Sequence, residues 1–222
     1  MNELNKYNNL LAIDSSGSTL RVGVSYSDSV TEETSTDRFR HAEFIFNLIE
    51  KVLKNAGAHN KDLMGLVVSI GPGSFTGLRV GLAAAKGLAL ALELPMVGIT
   101  VFETISGSLH SACGPTTILI PSRRGEYYMY ESSDLKFDAS KIRIIKSSEL
   151  VSLPKDKQIY LTEPNISDHQ LKAMNHLTAD DFAITTDLYI KAGQEKLRQF
   201  GGDDIDRLVP LYIQTFPVRP WK

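Results

Sequence analysis

The run Gly71-Pro72-Gly73-Ser74-Phe75-Thr76-Gly77-Leu78-Arg79 holds the residue types most suited to binding chemistry. It follows an apolar strand and opens an apolar helix, where free backbone N–H groups and the helix dipole attract anions. A Walker A loop needs lysine directly after its second glycine, but Leu78 follows Gly77. A dinucleotide fingerprint needs G-x-G-x-x-G, and Gly71, Gly73 and Gly77 are spaced one residue too far apart. Two readings stay open: the loop holds an anion, or Ser74 and Thr76 cap its N–H groups from within the chain. Asp14 closes an earlier apolar run and precedes Ser15 and Ser16, a carboxylate and two hydroxyls that permit nucleotide binding without establishing it. Ser74 and Ser122 are possible nucleophiles, yet neither lies in G-x-S-x-G and no neighbouring pattern supplies a base. The five histidines include no H-x-x-x-H pair, and His169 and His176, two turns apart in a polar segment, read as solvated. The residues thus predict no catalytic group and no metal ligand.

Positioning these residues requires an α/β frame. "NLLAIDSS" reads as a buried strand ending at Asp14, and "TLRVGVSYS" as its hairpin partner across a Gly17-Ser18 turn. From His41 to Asn55, Phe44, Ile45, Leu48, Ile49, Val52 and Leu53 fall at helical spacing, with Gly57 placed to end the helix. Phe46 falls off this stripe, which points to a second covered face. "LMGLVVSI" is a continuous apolar strand feeding the glycine loop, followed by a helix from Leu78 to Leu92 and the strand "PMVGI". Thr100 and Glu103 form the pattern of a capping box opening "VFETISGSLHSA". Strands alternating with helices indicate an α/β fold. Downstream, "TTILIPSRRGEYYMYES" predicts two strands around Gly125, with Tyr128 and Tyr130 on one face and Tyr127 and Met129 on the other. "KIRIIKSSELVSL" predicts a strand and a short helix, "KQIYLT" a strand, and "TTDLYIKAGQEKLRQF" a late amphipathic helix. The cluster Gly107, Ser108, Ser111, Gly114 and Pro115 suggests a boundary between lobes 1–105 and 106–222, and no internal repeat is visible.

The helix after the glycine loop is apolar or small at nearly every position, with Arg79, Lys86 and Glu93 its only charges. Such a helix must be covered all round. Either another protein's helix approaches Gly81, Ala84, Ala85 and Gly87, or the helix is buried between the chain's own lobes. Composition is that of a globular protein: 222 residues, 42% hydrophobic, enough for one large domain or two small ones. A net charge of -2 supplies no global basic field for nucleic acid. Cys113 is the sole cysteine, so neither an internal disulfide framework nor a Cys-based zinc site is expected. The start "MNELNKYNNLLAID" lacks an apolar signal core, and Val80 to Leu92 is short for a membrane span and contains Lys86. A cytoplasmic location and no membrane are the expectations.

"AIDSSGSTLRVGV", "HAEFIFNLIEKVLKNAG" and above all "GPGSFTGLRVGLAAAKGLA" resemble, in order over about the first 105 residues, the bacterial TsaB family, also called YeaZ. The resemblance implies the two-lobed fold of actin, Hsp70 and sugar kinases, built from RNase H-like lobes, with the C-terminal helix packing back on the first. It implies that Asp14, Ser15, Ser16, Gly71, Gly73 and Ser74 belong to remnant phosphate-type loops, Asp14 standing where actin-like ATPases place a magnesium-linked carboxylate. It further implies that Phe44, Ile45, Leu48, Val80, Gly81, Ala84, Ala85 and Leu88 meet a TsaD-like catalytic paralogue. Periodicity alone puts Ala84 on the outward face, with the inward one left open, and since a large apolar patch seldom stays exposed, two copies of the chain are expected to bury the same surface as a homodimer when alone. A TsaE-like ATPase would complete the complex, which transfers a threonylcarbamoyl group to N6 of adenosine 37 in ANN-decoding tRNAs. ATP and metal would then sit on the partner subunits, with no cofactor on this chain. Two departures stand out: Pro121-Ser122-Arg123-Arg124 replaces the relatives' Asp-Ala-Arg-Arg, and "PLYIQ" replaces Pro-x-Tyr-Leu-Arg. The alternative is an ATP-dependent kinase or ATPase of the same superfold. It requires a second phosphate loop in the second half, where Gly201-Gly202-Asp203-Asp204 is a weak candidate that reads better as a helix end.

Overall fold

The first strands are near-continuous apolar runs, LLAID, GLVVSIG and MVGIT among them, so both faces of their sheet must be covered. In the computed structural model, which describes residues 7–37, 40–113, 116–122, 125–132, 137–154, 158–162, 176–177 and 183–213, they are. Strands β1 (Leu10–Asp14), β2 (Leu20–Tyr26), β3 (Ser29–Ser35), β4 (Gly65–Gly71) and β5 (Met96–Thr100) form a five-stranded sheet in the order β3-β2-β1-β4-β5. Leu11, Ile13, Val22, Val24, Leu66 and Val68 turn to one face, beneath helices α1 (His41–Ala56) and α2 (Phe75–Leu92). Leu10, Ala12, Val67, Val97 and Ile99 turn to the other, against helix α4 (Thr186–Phe200) through Tyr189, Ile190 and Leu197. Each of the Leu, Ile and Val side chains among them contributes about 1.5–3 kcal/mol relative to exposure.

Strand β3 has no counterpart among the sequence expectations. "SVTEETS" carries two glutamates and is largely exposed, so its hydrophobic signal is weak. Tertiary pairing makes it a strand: it runs antiparallel to β2 across a two-residue turn at Ser27 and Asp28, both with positive φ, as tight hairpins require.

The second sheet contains β6 (Thr116–Pro121), β7 (Glu126–Ser132), β8 (Arg143–Lys146), β9 (Gln158–Leu161) and β10 (His176–Leu177), in the order β10-β9-β6-β7-β8. Read from β8, this is the path of the first sheet: an antiparallel three-strand meander, then two strands added in parallel. A repeat invisible in the residues is therefore present in the topology. Tyr130 and Tyr128 face the core with Ile118, Ile120 and Tyr160, and Tyr127 and Met129 face the opposite one, as the alternation predicts. The short helix expected after β8 is a 3-10 turn, Ser147–Ser152, whose Leu150 packs on that second face.

Helix α3 (Val101–Cys113) opens with the expected capping box: Thr100 N–H donates to the Glu103 carboxylate at 2.7 Å and Glu103 N–H to the Thr100 hydroxyl at 3.0 Å. Val101, Phe102 and Ile105 join the core of the second sheet, so a division after residue 105 falls inside this helix. Helix α4, late in the chain, packs on the first sheet and also touches α3. Each sheet thus takes the helix that follows the other. The chain beyond α4 is then pinned to β5, where the Asp203 carboxylate accepts from Gly98 N–H at 2.8 Å and from Lys196 at 2.9 Å.

Candidate functional site

The glycine loop is built to lie against the turn that follows Asp14. Gly71 has φ of 96°, a backbone that side chains resist, and the register between β4 and β5 shifts there, lifting the chain off the sheet. Ser74 N–H donates to the Ser16 carbonyl at 2.6 Å, and the Ser15 hydroxyl to the Gly77 carbonyl at 2.8 Å. A Cβ on Gly73 would stand 2.2 Å from the Ser16 carbonyl oxygen, one on Gly77 2.2 Å from that of Ser15, and one on Gly81 2.1 Å from the Ser15 hydroxyl. Gly73 is therefore required by close backbone approach, and the positive φ of this loop belongs to Gly71. Ser74 is the N-cap of α2, accepting from Gly77 N–H at 3.2 Å, whereas Thr76 lies exposed in the first turn.

Asp14 is 2% exposed, and one carboxylate oxygen accepts both the Ser16 N–H at 3.0 Å and the Ser16 hydroxyl at 2.6 Å. The other lies 3.7 Å from the Arg21 guanidinium, directly across the β1–β2 hairpin. Deeper in, the Tyr189 hydroxyl meets Ser69 at 3.2 Å. Burial, reinforced by the Asp14 charge, pushes this phenol well above the usual range. Asp14, Ser16 and Arg21, though not Tyr189 or Ser69, line a cleft of about 350 Å³ between the two sheets. The first lobe lines it with Asp14, Ser16, Arg21, Gly73 and Ser74; Pro121, Ser122, Tyr128 and Thr162 close the far side. All the expected loop residues except Ser15 and Gly71 reach the cleft, and those two act from behind it. Arg21, Tyr128 and Thr162 were not singled out by the sequence. The one available signal was Arg21 itself, a cation in an otherwise apolar strand, paired by hairpin register with Asp14.

Ser122 and the Gly201 run take structural places in the fold. Ser122 donates its N–H to the Glu126 carbonyl at 3.0 Å, closing the β6–β7 turn, and Arg123 and Arg124 lie outside the described residues. Gly201 caps α4 with φ of 76° and Asp203 anchors β5, so that glycine run is a helix end. Among the described residues no group of three His, Cys, Asp or Glu side chains is placed to hold a metal; His169 lies outside them.

Helices α1 and α2 lie together on the first sheet, and their expected interface residues divide sharply. Ile45, Leu48, Gly81, Ala84 and Ala85 are buried inside the chain, while Phe44, Val80 and Leu88 are half-buried at its margin. Ala84, expected outward, is only 8% exposed and packs in the core; the outward small residues of α2 are Ala83 and Gly87. Leu90 at 64% and Phe46 at 52% are the large apolar side chains these helices leave most open. α2 is long and apolar enough to match a membrane span, with 18 residues of mean hydropathy 1.4, but it lies on β4 and α1. At its N-terminus Arg79 stacks over Phe75 at 3.9 Å and donates to the Tyr212 hydroxyl at 3.1 Å, while Leu211 N–H bonds the Ile70 carbonyl. The departing "PLYIQ" segment thus straps the glycine loop, its Gln214 outside the described residues.

A family model described as TsaD, tRNA N6-adenosine threonylcarbamoyltransferase, matches residues 34–185, well over half of the chain. The chain belongs to the TsaD family. Within it, the likeness to TsaB (YeaZ) holds. The tRNA threonylcarbamoyladenosine biosynthesis protein TsaB of Escherichia coli K12 is 33% identical over 124 residues, 55% of this chain and 54% of that protein. The TsaB of Bacillus subtilis 168 is 32% identical over 120 residues, 54% and 52% of the two chains. The chain thus spans about half the length of the curated relatives it matches. A solved YeaZ structure from Pseudomonas aeruginosa superposes with a TM-score of 0.68 at 16% identity, covering 91% of this chain and all of that one. The fold is the expected two-lobed α/β architecture.

Proposed function

We propose that this protein takes part in threonylcarbamoyladenosine formation on tRNA, as a non-catalytic partner of a TsaD-like transferase acting at adenosine 37 of ANN-decoding tRNAs. The observation that carries this reading is the division of labour in the glycine segment: its loop is consumed by contacts with Ser15 and Ser16, while the helix behind it leaves Ala83, Gly87 and Leu90 open. A loop closed by its own chain is scaffold, and a helix with small outward residues admits close approach of another helix. The names of the relatives and the family model support the coarser part of this reading, involvement in threonylcarbamoyladenosine biosynthesis. TsaD-like and TsaE-like proteins are the proposed partners, holding the ATP and metal, with tRNA reached through the complex. In their absence two copies of the chain would cover the same surface as a homodimer. The kinase or ATPase alternative rests on Asp14 alone.

The test is reconstitution. The isolated chain should neither hydrolyse ATP nor modify tRNA, and adding it to the TsaD-like and TsaE-like proteins should raise modification of adenosine 37, read by nucleoside mass spectrometry. ATP turnover by the pure chain, abolished by Asp14→Ala, would instead establish the alternative.

A further inference from the structure

Beyond α4 the chain is held unequally along its length. At Asp203 it is fixed three times: the N–H donates to the Met96 carbonyl at 2.8 Å, and the carboxylate accepts from Gly98 N–H and from Lys196. Further on, at Leu211–Ile213, the backbone makes one bond among the described residues, Leu211 N–H to the Ile70 carbonyl at 2.8 Å. The rest of the hold is by side chains at the surface. Exposed Tyr212 accepts from exposed Arg79 at 3.1 Å and sets its ring 5.5 Å from that of Phe75, exposed in turn. A segment with few backbone bonds and solvent-facing contacts opens at low free energy. Yet this end of the chain reaches the second lobe. Leu211, Tyr212 and Ile213 line a cavity of about 30 Å³ together with Gly73, Phe75 and Leu78 of the first lobe and Tyr128 of the second. Gly73, Phe75 and Tyr128 line the interlobe cleft as well, so they stand as the partition between cleft and cavity. A void at that junction means that the strap and Tyr128 meet without the interlocked packing of a core.

The backbone passes between the lobes twice, from β5 into α3 at Thr100–Val101 and back ahead of α4 at Ile184–Thr185. Val101 and Ile184 both line the cleft, and Ile184 packs on the cores of both sheets. Hinges use such element-terminal positions. The lobes are thus joined by covalent chain along one part of the cleft wall, and at the Phe75–Tyr128 partition by non-covalent contact backed by the strap. We propose that Leu211–Ile213 is a latch that keeps the two lobes closed over the cleft. Anchored on the first lobe at Ile70 and Arg79, it bears on Tyr128 of the second, and its release lets the lobes part about the two crossings. The latch works within one chain, whether or not that chain serves tRNA modification.

Nitroxide labels at Thr34→Cys on the first lobe and Lys146→Cys on the second, both exposed positions, report the interlobe distance by double electron–electron resonance in the full chain carrying Cys113→Ser. With the strap intact the labels should give one narrow distance. Tyr212→Ala should broaden it and lengthen its mean by more than about 2 Å, with the circular dichroism spectrum unchanged. Arg79→Gln, at an exposed side chain, should shift it the same way, and it decides the matter if Tyr212→Ala fails to fold. The two sides of a latch are interdependent. Tyr128→Ala should therefore open the lobes as Tyr212→Ala does, and the double variant should open them no further. Distances unchanged in folded Tyr212→Ala or Arg79→Gln would overturn the proposal. So would additive shifts in the double variant, or a broad distribution with the strap intact.

Discussion

Gly73 and Gly87 are the same residue in opposite surroundings. A Cβ on Gly73 collides with a backbone carbonyl that accepts a hydrogen bond from the next residue, whereas one on Gly87 meets no heavy atom within 4 Å. Gly73→Ala should therefore destabilise by about 1–3 kcal/mol through overpacking, and Gly87→Ala should stabilise by about 0.5–1 kcal/mol through helix propensity. Urea denaturation of both variants checks the pair, and equal effects would refute the close-approach account. Tyr189 gives a pH-dependent counterpart. Its folded-state phenol is raised by burial, so the folded chain holds a proton that the unfolded chain releases near pH 10. Stability is fully present below that value and falls as pH rises above it. Tyr189→Phe should cost about 1 kcal/mol at neutral pH for the lost Ser69 bond, and should make the alkaline fall shallower in denaturation series from neutral to strongly basic pH. An unchanged slope would remove Tyr189 from it.

At the scale of the element, the rotation of α2 decides which small residues are available to a partner. Ala83 is exposed and Ala84 is buried, adjacent in sequence but about 100° apart on the helix. Ala84→Arg should bury a charge in the core and destabilise the monomer by more than about 3 kcal/mol. Ala83→Arg should leave folding within about 0.5 kcal/mol and weaken association with a TsaD-like partner by about 2–5 kcal/mol if this face is the contact. Circular dichroism reports the first effect, and light scattering with a binding titration the second. A folded Ala83→Arg variant that binds as well as the native chain would take the outer face of α2 out of the proposed interface.

Over the whole molecule, the exchange of helices makes the two lobes one cooperative unit. α3 fills the core of the second sheet and α4 that of the first, and the two helices touch. Neither lobe can lose its sheet without exposing the helix that follows the other. Heating should give a single calorimetric transition whose calorimetric and van't Hoff enthalpies agree. Ile190→Ala on α4 should cost about 2–4 kcal/mol and lower hydrogen-exchange protection in β6 and β7 as well as in β1 and β4. Two separated transitions, or protection lost from the first sheet alone, would show independent lobes.

Local pattern determined much of this protein. Alternation along β7 set which side chains face each core, continuous apolar runs marked β1 and β4 as buried strands, the 3.6-residue period placed Ile45 to Leu53 on the inner stripe of α1, and Thr100 with Glu103 marked the start of α3. The same local reading recognised that Gly71, Gly73 and Gly77 fit no nucleotide template, and the TsaB likeness rested on contiguous runs of residues. What depended on distant pairing was not legible. β3 has exposed glutamates and becomes a strand because β2 offers it an edge. α2 has small residues on every side, so no period in its sequence tells Ala83 from Ala84; only the position of the sheet and of α1 does. The duplicated strand order arises from similar hydrogen-bond pairing of unlike residues. Arg21 and Tyr128 stand on opposite walls of one cleft although more than a hundred residues separate them. Pattern reports which face of an element is apolar, but which elements share a face is set by packing over the whole chain.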